Sequence, residues 1–108
     1  MDRPLAVGEF LLYEEIDNGF ITIRFDNILN GYLMHMDCKK WSLSTYKRYK
    51  KIWNVILKNL KAVGINKFYG TCTSNRALKF NSMFNVKYTG KEVVLENGEK
   101  AYLTVMEI

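Results

Sequence analysis

The chain has 108 residues, of which 48% are hydrophobic, 14% aromatic and 25% charged. This length predicts one domain, residues 1–108, with a two-layer core, and the single proline and seven glycines are atypical of disordered or low-complexity chains. No apolar run approaches the roughly 20 residues that span a bilayer, and no basic stretch leading into an apolar core marks a signal peptide. We therefore expect a cytoplasmic protein without a membrane partner.

The formal net charge of +5 is unevenly distributed along the chain. Residues 1–37 hold seven acids and two arginines, whereas residues 38–91 hold thirteen Lys or Arg and no acid. Residues 92–108 hold four acids and one lysine. The basic block is either a solvated surface or a binding surface for an anionic partner, such as a phosphorylated cofactor or nucleic acid.

The first part of the chain predicts three strands. Two β-rich runs, Gly8–Ile16 and Phe20–Phe25, flank an Asn18-Gly19 pair. Because Asn and Gly accept positive φ, this pattern predicts a hairpin with a type I′ turn. The short apolar run Tyr32–Asp37 predicts a third, central strand.

A long helix is predicted next. Ser42 and Ser44 are both candidates for the N-cap, the helix begins near Ser44, and Gly64 favours its end. Apolar side chains between them recur every three or four residues, which predicts one buried stripe on about five helical turns. The stripe consists of Tyr49, Ile52, Trp53, Ile56, Leu57, Leu60 and Val63.

The remaining elements are a strand, a short helix and a second hairpin. Ile65–Cys72 predicts the strand, Ser74 caps the helix, and Asn85 ends it. A second Asn-Gly pair, Asn97-Gly98, predicts another type I′ turn between the last two strands. The order β-β-β-α-β-α-β-β predicts an α+β fold, a mixed sheet with the long helix across one face.

Few side chains suit metal binding or thiol chemistry. Cys38, Cys72 and His35 match no known ligand spacing, so we predict no metal site and two free thiols. Cys38 precedes two lysines and a helix N-terminus, which would stabilise a thiolate. A structural role for Cys38 remains the favoured interpretation.

Two motifs resemble the GCN5-related N-acetyltransferase (GNAT) superfamily. The turn KKWSLS, Lys39–Ser44, stands between a strand and the long helix, where that family has a basic-x-x-Gly-x-Gly/Ala turn. The later SNRALKFNSMFNV, Ser74–Val86, resembles the family's second helix, with Ala77 at its alanine. The resemblance covers about residues 30 to 108 and implies a mixed, mostly antiparallel sheet. Its two altered motifs suit a small, degenerate member, for example a viral protein of the host cytoplasm.

The resemblance implies an acetyl-coenzyme A site at this turn. In the family, free amides at the helix N-terminus bind the pyrophosphate, an arrangement that the helix dipole favours. Lys39 takes the basic position, and Ser42 and Ser44 stand where the glycines should be. The exposed edge of the Tyr32–Asp37 strand would hold the pantetheine arm. The implied cofactor residues are Met36, Lys39, Lys40, Trp41, Ser42, Leu43, Ser44 and Asn75.

The resemblance also indicates where catalysis would occur. His35 or Asp37, on one face of the central strand, is the candidate base that takes a proton from an acceptor amine. Asn81 stands at the position of a tyrosine that protonates the departing thiolate in many members. An amide cannot donate that proton, so Tyr69, Tyr88 or water would have to replace it.

Three interpretations remain open. The first is an acetyl-coenzyme A-dependent N-acetyltransferase acting on an unknown amine. The second is a degenerate binding protein or inhibitor that engages an acidic protein or nucleic acid through its basic surface. The third is an unrelated α+β interaction domain. Basic residues interleaved with Trp41 and Tyr46 suit single-stranded nucleic acid, although no known binding motif is present.

Overall fold

The computed structural model describes residues 3–108, which form six strands and two helices. The elements are β1 Glu9–Glu15, β2 Gly19–Asp26, β3 Gly31–Cys38, α1 Leu43–Ala62, β4 Lys67–Cys72, α2 Asn75–Ser82, β5 Lys87–Val94 and β6 Lys100–Glu107. Neither helix in this described part is long and apolar enough to cross a membrane.

All six strands join one sheet in the order β1-β2-β3-β4-β6-β5. Strands β1, β2 and β3 pair antiparallel, and so do β4, β6 and β5. The two halves meet where β3 and β4 run parallel. The predicted element order and the mixed, mostly antiparallel sheet are therefore confirmed.

Helix α1 lies over the sheet and provides much of the core. Ser42 is its N-cap, since the hydroxyl accepts the Thr45 N–H at 3.2 Å, and Gly64 follows its end with φ 86°. Val63, predicted to lie on the buried stripe, is 73% exposed because the helix has already ended. The other six predicted positions all belong to the core or pack against it.

Trp53 occupies the middle of this core. Its ring lies edge-on to both Phe68 of β4 and Phe84 beyond α2, with ring centroids 5.6 Å apart in each pair. Aromatic pairs in this arrangement add stability beyond the area that they bury. The full buried cluster is Ile21, Ile23, Tyr49, Trp53, Ile56, Leu60, Phe68, Phe84, Val86 and Met106.

Both type I′ turn predictions are wrong. In the first hairpin the left-handed residue is Asp17, at φ 61°, and the Asn18 N–H bonds to the Glu15 carbonyl at 3.0 Å. In the second, Gly98 alone of the pair has positive φ, and its N–H bonds to the Leu95 carbonyl at 2.9 Å. Each loop is one residue longer than the two-residue turn predicted.

Gly19 is required for close packing rather than for a turn. A Cβ atom there would lie 2.1 Å from the carbonyl oxygen of Asp37 and 2.6 Å from the Tyr49 hydroxyl. The first of these is backbone of the paired strand, which cannot move without disturbing the sheet. The absence of a side chain thus lets β2, β3 and α1 approach one another.

We expect Gly19→Ala to lower the free energy of unfolding by about 3 kcal/mol, because it overpacks this contact. Gly98→Ala is the matched control: its Cβ meets open space, so it costs only about 1 kcal/mol of left-handed backbone strain. Denaturant unfolding measures both. Equal losses would contradict the packing role of Gly19.

An ion pair attaches α1 to the end of β1. Arg48 Nε lies 2.8 Å from Glu15 Oε2, and Tyr13 and Asn18 also donate hydrogen bonds to this carboxylate. The hydrogen bond from Arg48 is the main cause that lowers the pKa of Glu15 to about 2. The folded state therefore favours the ionised carboxylate.

This pair should stabilise the fold above the ordinary pKa of 4.5 and lose its contribution as the pH falls towards 2. We expect Glu15→Gln to destabilise the protein at pH 6 and to have a smaller effect at pH 3, measured by denaturant midpoints. Glu96→Gln, at an exposed loop position, is the control. A loss of stability in Glu15→Gln that is independent of pH would contradict the proposed contribution of the ion pair.

Candidate functional site

Strands β3 and β4 separate after a very short junction. The parallel register joins only Tyr32 to Phe68 and Leu33 to Tyr69. Beyond Leu33, β3 remains paired with β2, and beyond Tyr69, β4 remains paired with β6. The sheet is therefore open on one side of this junction, within the residues that the structure describes.

A cavity of about 190 Å³ lies at this opening. Residues 34–36 of β3 and residues 68–72 of β4 form its walls, and α2 and the chain after it close one side. Most of its surface is apolar, which suits a ligand with a slender and largely uncharged body. The lining residues are Met34, His35, Met36, Trp53, Phe68, Tyr69, Gly70, Thr71, Cys72, Ala77, Phe80, Asn81, Phe84, Val86 and Thr104.

Two of the residues around the cavity carry buried polar atoms without a hydrogen-bond partner in the described part of the chain. These atoms are Trp53 Nε1 and Thr104 Oγ1. Gly70 allows the strand to pass close to Thr104, because a Cβ at Gly70 would lie 2.9 Å from Oγ1. Buried donors usually have a partner, and a ligand carbonyl is one group that could supply it.

Asn81 lies in the cavity wall, and the structure explains what its amide does. Nδ2 donates to Cys72 Sγ at 3.0 Å and to the Ala77 carbonyl at 2.8 Å. Both amide hydrogens are thus directed at protein atoms. Burial raises the pKa of Cys72, so this neighbour is a neutral thiol at physiological pH. Tyr69 also lines the cavity, whereas Tyr88 pairs with Tyr102 on β6.

His35 lies at the cavity on the face of the sheet opposite the helices. Met34 and Met36 pack against the helix-side core, and strand alternation directs His35 and Asp37 to the other face. The His35 ring lies 5.6 Å from the ring of Phe20. Asp37 lines a separate small pocket with Lys39 rather than the cavity.

The pKa of His35 is lowered, first by burial and then by the nearby Arg3 guanidinium. Its imidazole is therefore mainly neutral at physiological pH and can accept a proton. Asp37 and Glu9 oppose this shift, because a negative charge favours the imidazolium.

The turn before α1 uses several of its own polar groups. The N–H groups of Lys39 and Lys40 donate to the backbone and side-chain oxygens of Asn18, at 2.7 Å and 3.0 Å. The Ser42 hydroxyl caps the helix and lies 3.1 Å from the hydroxyl of Ser44. The small serines keep this corner compact, and their hydroxyls are linked to each other.

Trp41 connects this turn to α2. Its ring lies 4.6 Å from that of Phe80, which is itself a cavity residue. Leu43 and Asn75, at the first positions of the two helices, are exposed. Among the predicted cofactor residues, Met36 lines the cavity, and the others lie along the turn and at the start of α2.

Cys38 does not have the environment of a reactive thiol. Its pKa is raised, mainly by burial, and Sγ lies 3.3 Å from the Lys40 carbonyl. The thiolate interpretation is therefore not supported, because burial and the nearby carboxylates of Glu15 and Asp37 all favour the neutral thiol.

Of the residues that line the cavity, only His35 and Met36 were predicted site residues, and Trp53, Phe68 and Thr104 are examples of those that were missed. Trp53 and Phe68 read as core positions, and Thr104 lies on the last strand. Gly70, in the middle of a β-rich run, was the available signal, since an interior strand glycine often marks a close backbone approach.

No family model matches this chain, and no curated protein matches it in sequence. A solved structure with a similar fold is a chimera made from the spermidine N-acetyltransferase SpeG of Vibrio cholerae and hSSAT. The sequence identity is 9% and the TM-score is 0.60 over 92% of this chain, which spans 65% of the length of that protein. The shared feature is the fold. The chain has a GNAT-like α+β fold, a mixed, mostly antiparallel sheet with two helices in the order β-β-β-α-β-α-β-β.

Proposed function

We propose that this protein is an acetyl-coenzyme A-dependent N-acetyltransferase. The observation that carries the proposal is the separation of β3 from β4 after two residue pairs, which opens an apolar cavity in the middle of the sheet. The GNAT-like fold and the acetyltransferase named in the similar structure support the same activity. The acceptor is an amine, which approaches from the His35 face.

The cavity residues fit the thioester end of acetyl-coenzyme A. Met34, Met36 and Phe80 supply apolar walls, and the unpartnered Trp53 Nε1 and Thr104 Oγ1 are candidate donors to ligand carbonyl groups. Lys39, Lys40, Ser42 and Ser44, with Trp41, Leu43 and Asn75 around them, would hold the phosphates at the N-terminus of α1. The bound cofactor supplies the activated acetyl group.

His35 is the base that best suits the proposed reaction. It lies at the cavity and is held mainly neutral, so it can take the proton that the acceptor amine loses. Asp37, two residues further along the same strand face, can orient His35 or act as the alternative base.

Water is the candidate acid for the departing thiolate. The Asn81 amide cannot donate that proton, and although Tyr69 lines the cavity, its ring lies against Gly31 and beside Lys67, at the closed end of the junction. Asn81 instead keeps α2 attached to Cys72 of β4 through its two hydrogen bonds.

Filling the cavity should abolish cofactor binding. We expect acetyl-coenzyme A at about 100 times its dissociation constant to stabilise the wild type by ~2.7 kcal/mol, a rise of several degrees in Tm. Ala77→Phe places a ring in the cavity and should remove this rise. Lys79→Phe, on the same helix but outside the cavity lining, should retain it. No rise for the wild type at millimolar ligand would reject the enzyme proposal.

Charge reversal at the turn should weaken the same interaction. Lys39→Glu/Lys40→Glu removes two cations beside the proposed phosphate site, and we expect an affinity loss of more than tenfold by isothermal titration calorimetry. Lys58→Glu/Lys61→Glu makes the same charge change at the other end of α1 and should have little effect. Equal losses in the two variants would show a general charge effect instead of a phosphate site.

Two observations favour a second candidate, a GNAT-fold binding protein without catalysis. The amides of Lys39 and Lys40 already have protein acceptors, and the contact between Trp41 and Phe80 links the turn to α2. These interactions leave fewer N–H groups of the turn available to bind phosphates. Such a protein would use its basic surface to bind an acidic protein or nucleic acid. The acetyl-coenzyme A titration separates the two functions.

A further inference from the structure

A nearly buried carboxylate lies on the face of the sheet opposite the helices. The Glu9 side chain, at the start of β1, is 5% exposed. Thr22 Oγ1 donates to Glu9 Oε2 at 2.8 Å, and the Ala6 N–H donates to Oε1 at 3.0 Å. Arg3 completes the site, with Nη1 and Nη2 lying 2.6 Å and 2.7 Å from the two oxygens.

An aromatic ring forms the second wall of this site. The Arg3 guanidinium lies 5.4 Å from the ring centre of Phe20, which is buried on β2. A carboxylate beside an aromatic face is a favourable environment for a guanidinium or ammonium ion. The pKa of Glu9 is lowered to about 2, chiefly by the hydrogen bond from Arg3. The site is therefore a negatively charged receptor for one cation.

The cation that fills the site is carried by an irregular, exposed segment. Residues 3–8, which we call the strap, contain no helix or strand, and Arg3 remains 42% exposed. Glu9, Thr22 and Phe20, in contrast, belong to paired strands. Segments with few packed contacts open at low cost, so Arg3 can leave while its receptor stays in place.

The cation site lies next to the candidate base. Thr22 is the register partner of His35, and Phe20 is 5.6 Å from the imidazole. Both Arg3 and Glu9 act on the pKa of His35. A molecule bound at Glu9 would therefore extend towards His35 and the cavity that His35 lines.

We propose that Glu9, Thr22 and Phe20 recognise a cationic group of the acceptor, and that Arg3 occupies this site as a tethered competitor. The inference rests on the proposed function and narrows its substrate class. The attacking amine must be neutral, so the cation at Glu9 is a second group. The acceptor is then an amine that also carries a separate ammonium or guanidinium group.

Direct binding of agmatine, which has one amine and one guanidinium, tests this site without acetyl-coenzyme A. We expect Arg3→Ala to bind agmatine about tenfold more tightly than the wild type in calorimetry, because the competitor has been removed. Arg3→Ala/Glu9→Gln should lose this gain. Arg76→Ala is the matched control, since Arg76 is exposed on α2, away from Glu9, and its loss changes the net charge equally.

Unchanged or weaker binding by Arg3→Ala would overturn the proposal, as would an equal gain for Arg76→Ala. A second measurement needs no variant: saturating agmatine should shift the NMR signal of the Arg3 side-chain Nε in the wild type and leave that of Arg76 in place. An unmoved Arg3 signal would overturn the proposal too. Failure of acetyl-coenzyme A to bind would reject the enzyme while these agmatine results stood.

Discussion

The parallel junction between β3 and β4 is the constraint on which the site depends. Each strand has a full antiparallel partner on its other side, β2 for β3 and β6 for β4. Because each strand is already paired along that side, the two halves of the sheet are joined by just two residue pairs in the described chain. Backbone groups beyond the junction face the opening, and such groups require hydrogen-bond partners. An open seam of this kind is therefore suited to an extended ligand with amide groups of its own.

Helix α1 holds the two halves together across that seam. Its buried side packs with Ile21 and Ile23 from one half and with Phe68 and Met106 from the other. Gly19 allows Tyr49 to approach β2, and the Glu15–Arg48 pair attaches the beginning of the helix to β1. These contacts constrain the end of α1 that faces the proposed phosphates. This position provides preorganisation, because the helix does not need to move when an anion binds.

Sequence patterns predicted every helix and strand, because burial of one face produces alternation in a strand and a three- or four-residue period in a helix. The stripe from Tyr49 to Leu60 and the caps Ser42 and Ser74 are examples. The turns were harder to predict, since Asn-Gly fits several loop lengths. The pairing of the flanking strands decides which loop residue adopts the left-handed conformation. The residues of the cavity wall were the hardest to predict from the sequence. Trp53 and Thr104 are far apart in sequence, and only the three-dimensional structure shows that both line one cavity.

The uneven connectivity of the sheet also bears on how the chain reaches its native state. The β1-β2-β3 meander pairs neighbours in sequence, so its contacts close short loops at low entropic cost. Strand β4 pairs with β3 on one side and with β6, from the far end of the chain, on the other. It therefore has neighbours on both sides only after β6 has joined the sheet. Contacts of such long range form slowly. The meander is consequently the natural nucleus, and the seam is the last surface to be completed during folding.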